Sequence, residues 1–312
     1  MRPLNCVRGG LRGDLLNFRA KISLVLAAAI AASAIGCAVS KKTATPPAAA
    51  QARRALEATP GELIEKFNRQ AKAIQSLNAT VKLKASAGSQ YSGVVEQYHE
   101  VNGFILAQRP ASVRVIGQAP VVNKNIFDMV SDGQTFQIFI PSRNTFIAGP
   151  ARFEKTAEKP IENLRPQHLV DALFWTEIHE NEPVLFEESD ENGQRSYILT
   201  ALEGTRSDTN FEIEKKVRFD RTDLSVAEID IFRGGGKLAS AIRYANWEPA
   251  GGAQFARDIR VRRPHDDYEL DIQVTRIAVN ETIAPDRFHL AQPPGAKLVD
   301  VTQDTGNEDS KP

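Results

Sequence analysis

The stretch RDIRVRRPHDDYELDIQV, residues 257–274, decides the fold expected for this chain. Apolar residues alternate with charged or polar ones on both sides of a polar turn, at Ile259/Val261 and at Leu270/Ile272/Val274. A period of two sends successive side chains to opposite faces of a strand, so each half predicts a strand with one buried and one solvated face. Two such strands joined by a short turn predict an antiparallel hairpin.

The same period recurs along most of the chain after Asn78. The alternating apolar residues include Val81/Leu83, Val113/Val115, Phe136/Ile138/Ile140, Phe211/Ile213, Val217/Phe219 and Ile229/Ile231. The charged residues expected on the opposite, solvated face are Arg114, Lys215, Glu228, Asp230, Arg260, Arg262 and Asp271. The pattern predicts about 10–11 strands, mostly antiparallel neighbours.

Turn-forming residues separate these runs. Hairpin connections are expected at Ser131-Asp132-Gly133, Asn192-Gly193, Gly234-Gly235-Gly236 and Gly251-Gly252. Asn102-Gly103 is interpreted instead as a bulge inside a long strand.

Two helices interrupt the strand pattern. Thr59, Pro60 and Glu62 have the order of a helix start, and apolar residues follow at helical spacing as far as Leu77. The second helix is predicted between Ile161 and Trp175. The expected fold class is α+β, a strongly curved antiparallel sheet with helices covering its mouth. Such helices either fill the interior or lie over a cavity, and the pattern leaves both open.

The first 36 residues have the parts of a secretory signal peptide. A basic region precedes Ile22–Ile35, an uncharged run shorter than the ~20 apolar residues of a membrane-spanning helix. Ala34-Ile35-Gly36-Cys37 resembles the bacterial lipobox, which predicts that residues 1–36 are removed and that Cys37 carries the lipid. An unmodified Cys37 thiol is the alternative.

The remaining sequence divides into three parts. Residues 37–60, rich in Ala, Thr and Pro, are expected to be the lipidated cysteine and a flexible tether. Residues 61–300 suit one domain, and 301–312 are expected to be a disordered tail. Removal of the signal leaves 34 basic against 38 acidic residues, a net charge of −4, which disfavours a nucleic-acid partner.

No familiar catalytic motif is present in the sequence. It has no nucleophile elbow, P-loop, HExxH pair or dinucleotide glycine fingerprint, and Cys6 and Cys37 are its two cysteines. His168 and Asp171 could share a helix face, which is more typical of a solvated surface than of a site. We therefore expect no enzyme activity, no cofactor and no metal.

The order of several short motifs resembles the lipoprotein carrier and receptor family, LolA and LolB. The motifs are Gly103 to Pro110, Ser131-Asp132-Gly133, Phe136, Ile140-Pro141, and the end segment Asp286–Leu290 with Pro293-Pro294-Gly295 and Val299-Asp300. The resemblance spans most of 61–300. It implies an unclosed β-barrel around a hydrophobic cavity that is covered by helices and holds acyl chains.

The resemblance also implies roles for single residues. Arg109 falls where the carrier has an arginine that holds the lid closed by hydrogen bonds to backbone carbonyls, although a surface arginine before a turn is the equal alternative. Val121 and Val122 fall where the receptor exposes an apolar loop to the membrane, the alternative being core residues of the next strand. Candidates for the cavity lining, chosen by alternation and size, are Phe104, Leu106, Phe127, Met129, Phe136, Ile138 and Phe174.

The predicted function is that of a non-enzymatic lipoprotein on the periplasmic face of the outer membrane. It would bind acyl chains of lipoproteins or phospholipids for transport or localisation to that membrane, with a periplasmic carrier protein as a candidate partner. The alternative is a structural or assembly lipoprotein with a filled core that docks a protein partner.

Overall fold

The computed structural model describes residues 55–89, 94–122, 124–151, 165–191, 193–204 and 211–301. All of them belong to one compact unit, Arg54–Pro312. The predictions for the signal peptide, for Cys37 and most of the tether, and for the tail from 302 onward lie outside the described residues.

The first helix, α1, spans Pro60–Ala73. Thr59 forms the predicted capping box: its backbone N–H donates to Glu62 Oε2 at 2.7 Å, and its hydroxyl accepts from the Glu62 backbone N–H at 3.3 Å. Leu63 and Phe67 lie on the buried face. The capping box therefore locates the start of this helix correctly, whereas the apolar spacing as far as Leu77 extends beyond its end at Ala73.

Fifteen strands of the described residues form one sheet. They are β1 (Ser76–Ser89), β2 (Val94–Gln97), β3 (Val101–Gln108), β4 (Ser112–Gln118), β5 (Asn125–Ser131), β6 (Thr135–Ile140), β7 (Thr145–Pro150), β8 (Val184–Glu191), β9 (Gln194–Glu203), β10 (Glu212–Asp220), β11 (Val226–Arg233), β12 (Lys237–Ala250), β13 (Ala253–Arg263), β14 (Tyr268–Val279) and β15 (Lys297–Asp300).

The sheet is open, with β15 and β8 at its two ends. The order is β15-β7-β6-β5-β4-β3-β1-β14-β13-β12-β11-β10-β9-β8, and β2 adds to one end of β1. Every pairing is antiparallel except the parallel pairing of β15 with β7. The predicted unclosed antiparallel sheet with helices is confirmed, whereas the count of 10–11 strands is too low.

One face of the sheet, called here the inner face, packs against the helices. The side chains of cross-strand partners lie on the same face of a sheet. Ala79, Ile105, Val115 and Met129 are successive partners across β1, β3, β4 and β5, and their buried side chains mark the inner face. The second helix, α2, spans Pro166–Leu173 and buries Leu169 there. This lies within the predicted 161–175 segment, of which 161–164 are outside the described residues.

The opposite, outer face is crossed by residues 285–301, called here the C-terminal strap. A 3-10 turn at Pro285–Phe288 lies against β4, and the strap ends in β15 beside β7. Arg114 on β4 donates to the backbone carbonyl of Arg287 at 3.0 Å. The strap therefore covers part of a face that the strand pattern alone assigns to solvent.

Two predictions on the sheet are wrong. Lys215 lies on the inner face, because it follows the same period of two as Val217 and Phe219. Gly103 lies in regular register between Val81 and Gly117, without a bulge. The two glycines leave room on the inner face for neighbouring side chains, since a Cβ at Gly117 would overlap the Phe127 ring.

Candidate functional site

The candidate site is the inner face and the two chain segments that cover it. We call α1 together with residues 165–178 the lid. The two parts are joined by Asn68, whose amide donates to the Ile178 carbonyl at 2.7 Å and accepts from the Ile178 N–H at 2.9 Å. The lid therefore consists of two hydrogen-bonded parts.

Aromatic rings fill the space between lid and sheet. Phe67 of the lid stacks on Trp175 with ring centroids 5.1 Å apart, and Trp175 meets the edge of Tyr244 at 5.3 Å. The space left there measures about 20 Å³ and is lined by Gln70, Ala71, Ile74, Ala172, Leu173, Trp175, Tyr244, Trp247, Phe255, Ala256 and Ile259. A volume of that size holds about one water molecule. Side chains therefore fill most of the space between the lid and this part of the sheet.

Arg109, directly after β3, bonds to both parts of the lid. Its Nε donates to the Ile74 carbonyl at 3.1 Å, and its Nη2 donates to the carbonyls of Ala71 at 2.6 Å and Trp175 at 3.1 Å. Its Cζ lies 5.0 Å from the centroid of the Phe174 ring. Partial burial lowers the pKa of Arg109, but a guanidinium stays charged at any physiological pH. The structure thus places Arg109 against backbone carbonyls, as the resemblance implies.

Lys215 on β10 makes a second set of bonds to the lid. Its Nζ donates to the Thr176 carbonyl at 3.1 Å, the Thr176 hydroxyl at 2.8 Å and the Glu177 carbonyl at 3.0 Å. Only 4% of its side chain is exposed, and Glu214 lies 3.1 Å from the ammonium. A buried ammonium needs such partners, because an uncompensated charge away from water is costly. Lys215 thus fixes the segment just after the one that Arg109 holds.

Tyr244 on β12 attaches the middle of the lid. Its hydroxyl donates to the Ala172 carbonyl at 2.9 Å and accepts from Trp175 Nε1 at 2.9 Å. Burial raises the pKa of Tyr244 far above its ordinary value, so the hydroxyl remains a donor. Arg109 after β3 and the strand residues Lys215 and Tyr244 therefore bond to residues 172–177.

His168 of α2 is half-buried, unlike the solvated helix-face residue expected from the sequence. Its Nδ1 lies 2.5 Å from the Tyr268 hydroxyl, and the two rings stack with centroids 6.0 Å apart. Burial, helped by Arg263, Arg165 and Arg233, lowers the pKa of His168 well below its usual value. The ring is accordingly neutral at physiological pH and acts as a packed part of the lid.

The structure divides the seven candidate lining residues between the two faces. The register places Phe127, Met129, Phe136 and Ile138 on the inner face, and Phe174 lies there at the end of α2. Phe104 and Leu106 lie on the outer face, where their cross-strand partners are Ile116 and Arg114. These two were misassigned because residues 104–107 are all apolar, so that alternation cannot choose between the faces.

Val121 and Val122 lie in the connection between β4 and β5. Their side chains are 91% and 70% exposed, so they are not core residues. The exposed placement is the one that the resemblance implies for a membrane-contact loop. Lys215 and Tyr244, in contrast, were missed as lid-binding residues, and the one available signal was a lysine in phase with Val217 and Phe219.

The described residues lack two other kinds of feature. They contain no group of three or more His, Cys, Asp and Glu side chains arranged to hold a metal ion. Among the same residues, every helix is too short or too polar to cross a membrane.

Comparison with known proteins finds similarity at the level of structure. No protein-family model and no curated protein sequence matches the chain. A LolA superfamily protein from Nitrosomonas europaea is similar over 75% of this chain and 99% of its own, with 12% identity and a TM-score of 0.45. A putative outer membrane lipoprotein-sorting protein domain from Vibrio parahaemolyticus is similar over 73% and 95%, with 10% identity and a TM-score of 0.45.

A further similar structure is a DUF1329 family protein from Desulfovibrio piger. The similarity covers 73% of this chain and 94% of that protein, with 14% identity and a TM-score of 0.43.

Proposed function

We propose that this chain is a non-enzymatic lipoprotein, anchored through a lipid on Cys37, that binds acyl chains between its lid and the inner face of its sheet. The observation that carries the proposal is the set of three hydrogen bonds from Arg109 to the carbonyls of Ala71, Ile74 and Trp175. One cation thereby holds both parts of the lid over an apolar face. The cargo would be a lipoprotein or phospholipid moved to the outer membrane.

Binding requires the lid to move, because the closed interior has room for about one water molecule. Rotation of Phe67, Trp175 and the α2 residues away from the sheet would expose Met129, Ile138 and their neighbours. Each methylene of an entering acyl chain would then contribute ~0.8 kcal/mol of burial. That gain would replace the apolar contacts that the lid loses, so that binding remains reversible.

The attachment to the membrane has two proposed parts. The diacylglycerol that the lipobox resemblance implies on the Cys37 sulfur carries two acyl chains, which suffice for stable attachment. The exposed Val121 and Val122 are suited to supply a second contact. The protein would therefore face the periplasm from the outer membrane, where it could receive cargo from a periplasmic carrier protein.

A second candidate function is a structural or assembly lipoprotein that docks a protein partner. The observation that favours it is the filled interior, in which Phe67, Trp175, Tyr244 and Trp247 pack against one another. In that case the hydrogen bonds from Arg109 would stabilise a permanent core.

Uptake of a fluorescent fatty acid by the full chain in nanodiscs separates the two functions. Replacing Arg109 by Met keeps an unbranched apolar stem and removes the guanidinium with all three bonds to the lid. We expect faster and greater uptake by Arg109→Met. Arg195→Met is the matched control, because Arg195 is an exposed arginine on β9 whose surface ion pair contributes little.

The outcomes are distinct. Greater uptake by Arg109→Met alone supports a lid, and native mass spectrometry of lipid released from the chain would identify the cargo class. Replacing Ile138 by Phe should then lower uptake without unfolding the domain. Absence of uptake in the wild type and in Arg109→Met would contradict acyl-chain binding and support the filled core.

A further inference from the structure

The outer face of the sheet carries a larger space than the inner face. Between β1, β3, β4 and the C-terminal strap lies a cleft of about 440 Å³, within the 300–1,000 Å³ range of small-molecule sites. We call it the outer cleft. Its lining residues are Asn78, Thr80, Phe104, Leu106, Arg114, Ile116, Gln118, Asn125 and Arg287.

The floor of the outer cleft is apolar, although a strand face directed away from the core is usually polar. Phe104 and Ile116 are cross-strand partners on β3 and β4, and Leu106 lies two residues along on the same face. The Phe104 side chain is 40% exposed. Leu106 is 8% exposed and forms the base of the floor, whereas Phe104 and the half-buried Ile116 offer apolar surface to an occupant.

Cationic and amide side chains surround this floor. Arg287 of the strap is exposed and has no ion pair or side-chain hydrogen bond to any part of the chain that the structure describes. Arg276, the strand partner of Thr80, is a second exposed arginine beside the cleft. Arg114, by contrast, is held by two bonds to Asp128, at 3.0 and 2.7 Å. An apolar floor with unengaged cations beside it fits an amphiphile with an anionic head.

One end of the outer cleft meets the exposed hairpin. Gln118 and Asn125 line the cleft, pair across β4 and β5, and share a hydrogen bond of 2.9 Å. Beyond them the connection carries Val121 and Val122, while Ile126 on the β5 side is 37% exposed. If this hairpin inserts into a bilayer surface, the cleft opens at the level of the lipid headgroups.

We propose that the outer cleft binds a single anionic phospholipid, with one acyl chain over Phe104, Leu106 and Ile116 and the phosphate near Arg287. The site lies on the opposite face of the sheet from the lid and involves none of the residues that the lid covers. Lipid binding in the outer cleft can therefore be tested independently of acyl-chain binding beneath the lid.

Photo-crosslinking tests the proposal on the full chain reconstituted in phosphatidylcholine vesicles. The probe is a trace of phosphatidylglycerol with a diazirine on one acyl chain, and the labelled peptides are mapped by mass spectrometry. We expect labels on β3 and β4, at or beside Phe104 and Ile116. Thr80→Trp, which fills the cleft from the outer face of β1, should reduce that labelling.

A charge variant tests recognition of the head. Arg287→Gln should lower labelling of β3 and β4 by about fivefold, which corresponds to the ~1 kcal/mol that one arginine contributes near an anionic surface. Arg195→Gln makes the same change in net charge far along the sheet, on β9, and should leave labelling unchanged. A phosphatidylcholine probe should respond to neither variant.

Three results would overturn the proposal. Labels confined to Phe136, Phe174 and other residues under the lid would place lipid only on the inner face. An equal loss of labelling in Arg287→Gln and Arg195→Gln would show that the probe is attracted to the protein surface by charge alone. Labelling of the cleft that falls as the protein-to-lipid ratio rises would identify a second copy of the chain as the occupant.

Discussion

Replacing Lys215 by Met tests whether the lid is held by bonds that can open independently of the rest of the domain. Met keeps the apolar stem of the side chain but removes the ammonium, and with it the bonds to the Thr176 carbonyl, the Thr176 hydroxyl and the Glu177 carbonyl. The neighbouring Lys216 lies on the opposite face of the same strand, where its cross-strand partner is Asp230 on β11. Lys216→Met is therefore the matched control.

The expected change in the free energy of lid opening combines the loss of the hydrogen bonds with the removal of the cost of burying the ammonium. A hydrogen bond to a charged donor contributes about 1.5–3 kcal/mol, but removing the ammonium also removes the cost of burying it. We take a net loss of about 2–3 kcal/mol for the three bonds together. The two carbonyls regain water when residues 176 and 177 lift, so the loss should favour lid opening by about 30- to 150-fold rather than global unfolding.

Hydrogen exchange followed by mass spectrometry measures this opening directly. Backbone amides of α2, Pro166–Leu173, should exchange about 30- to 150-fold faster in Lys215→Met, while those of β12 and β13 change far less. Lys216→Met should behave as the wild type. If the amides of α2 and of the central strands exchange faster by the same factor in Lys215→Met, the lid does not open as a separate unit and the reasoning is refuted.

Three further predictions concern packing and pH. Burial lowers the pKa of His168, so below about pH 6.5 the unfolded chain binds a proton there that the folded chain excludes. The free energy of unfolding should therefore fall on acidification, by up to about 1.4 kcal/mol per pH unit. Urea titrations at pH 7.5 and 5.5 should show a smaller pH difference for His168→Phe, and an unchanged difference would refute this assignment. Tyr244→Phe leaves Trp175 Nε1 and the Ala172 carbonyl without their partner and should lower the free energy of unfolding by about 1–3 kcal/mol in the same titration. An unchanged free energy would indicate that water replaces the hydroxyl. Gly117→Ala places a methyl against the ring of Phe127 and should lower the free energy of unfolding by about 1–3 kcal/mol, whereas Gly117→Ala combined with Phe127→Leu should recover part of that loss.

Much of the fold could be predicted from local sequence. The capping box at Thr59 and Glu62 locates α1, and the turn at Ser131-Asp132-Gly133 joins β5 to β6 with Asp132 accepting from the N–H of Thr135 at 2.8 Å. These features act over a few residues, so sequence shows them directly. Two of the four or five strands missing from the predicted count, β2 and β15, are only four residues long and show no alternation.

The candidate site depended more on long-range contacts. Lys215 could have been assigned to the inner face by its phase with Val217, but its partners Thr176 and Glu177 are 39 and 38 residues away. The strap adds an outer cleft that no local pattern predicts, because Arg287 lies 173 residues from Arg114. The position of Arg109 followed from the order of motifs, and its three carbonyl partners became known only from the structure.

The chemistry of the lid bonds has a consequence for how the lid can open. Arg109 and Lys215 donate to backbone carbonyls of Ala71, Ile74, Trp175, Thr176 and Glu177, and these acceptors do not depend on which side chains the lid presents to the sheet. The apolar underside of the lid can therefore exchange its contacts for those of an acyl chain while the bonding groups remain the same. Water can solvate the freed carbonyls and both cations when the lid lifts, so opening costs the net contribution of these bonds together with the apolar contacts, and a bound chain would replace the apolar contacts. For the acyl-chain binding proposed above, this arrangement would favour a lid that closes without cargo and opens when an acyl chain is offered.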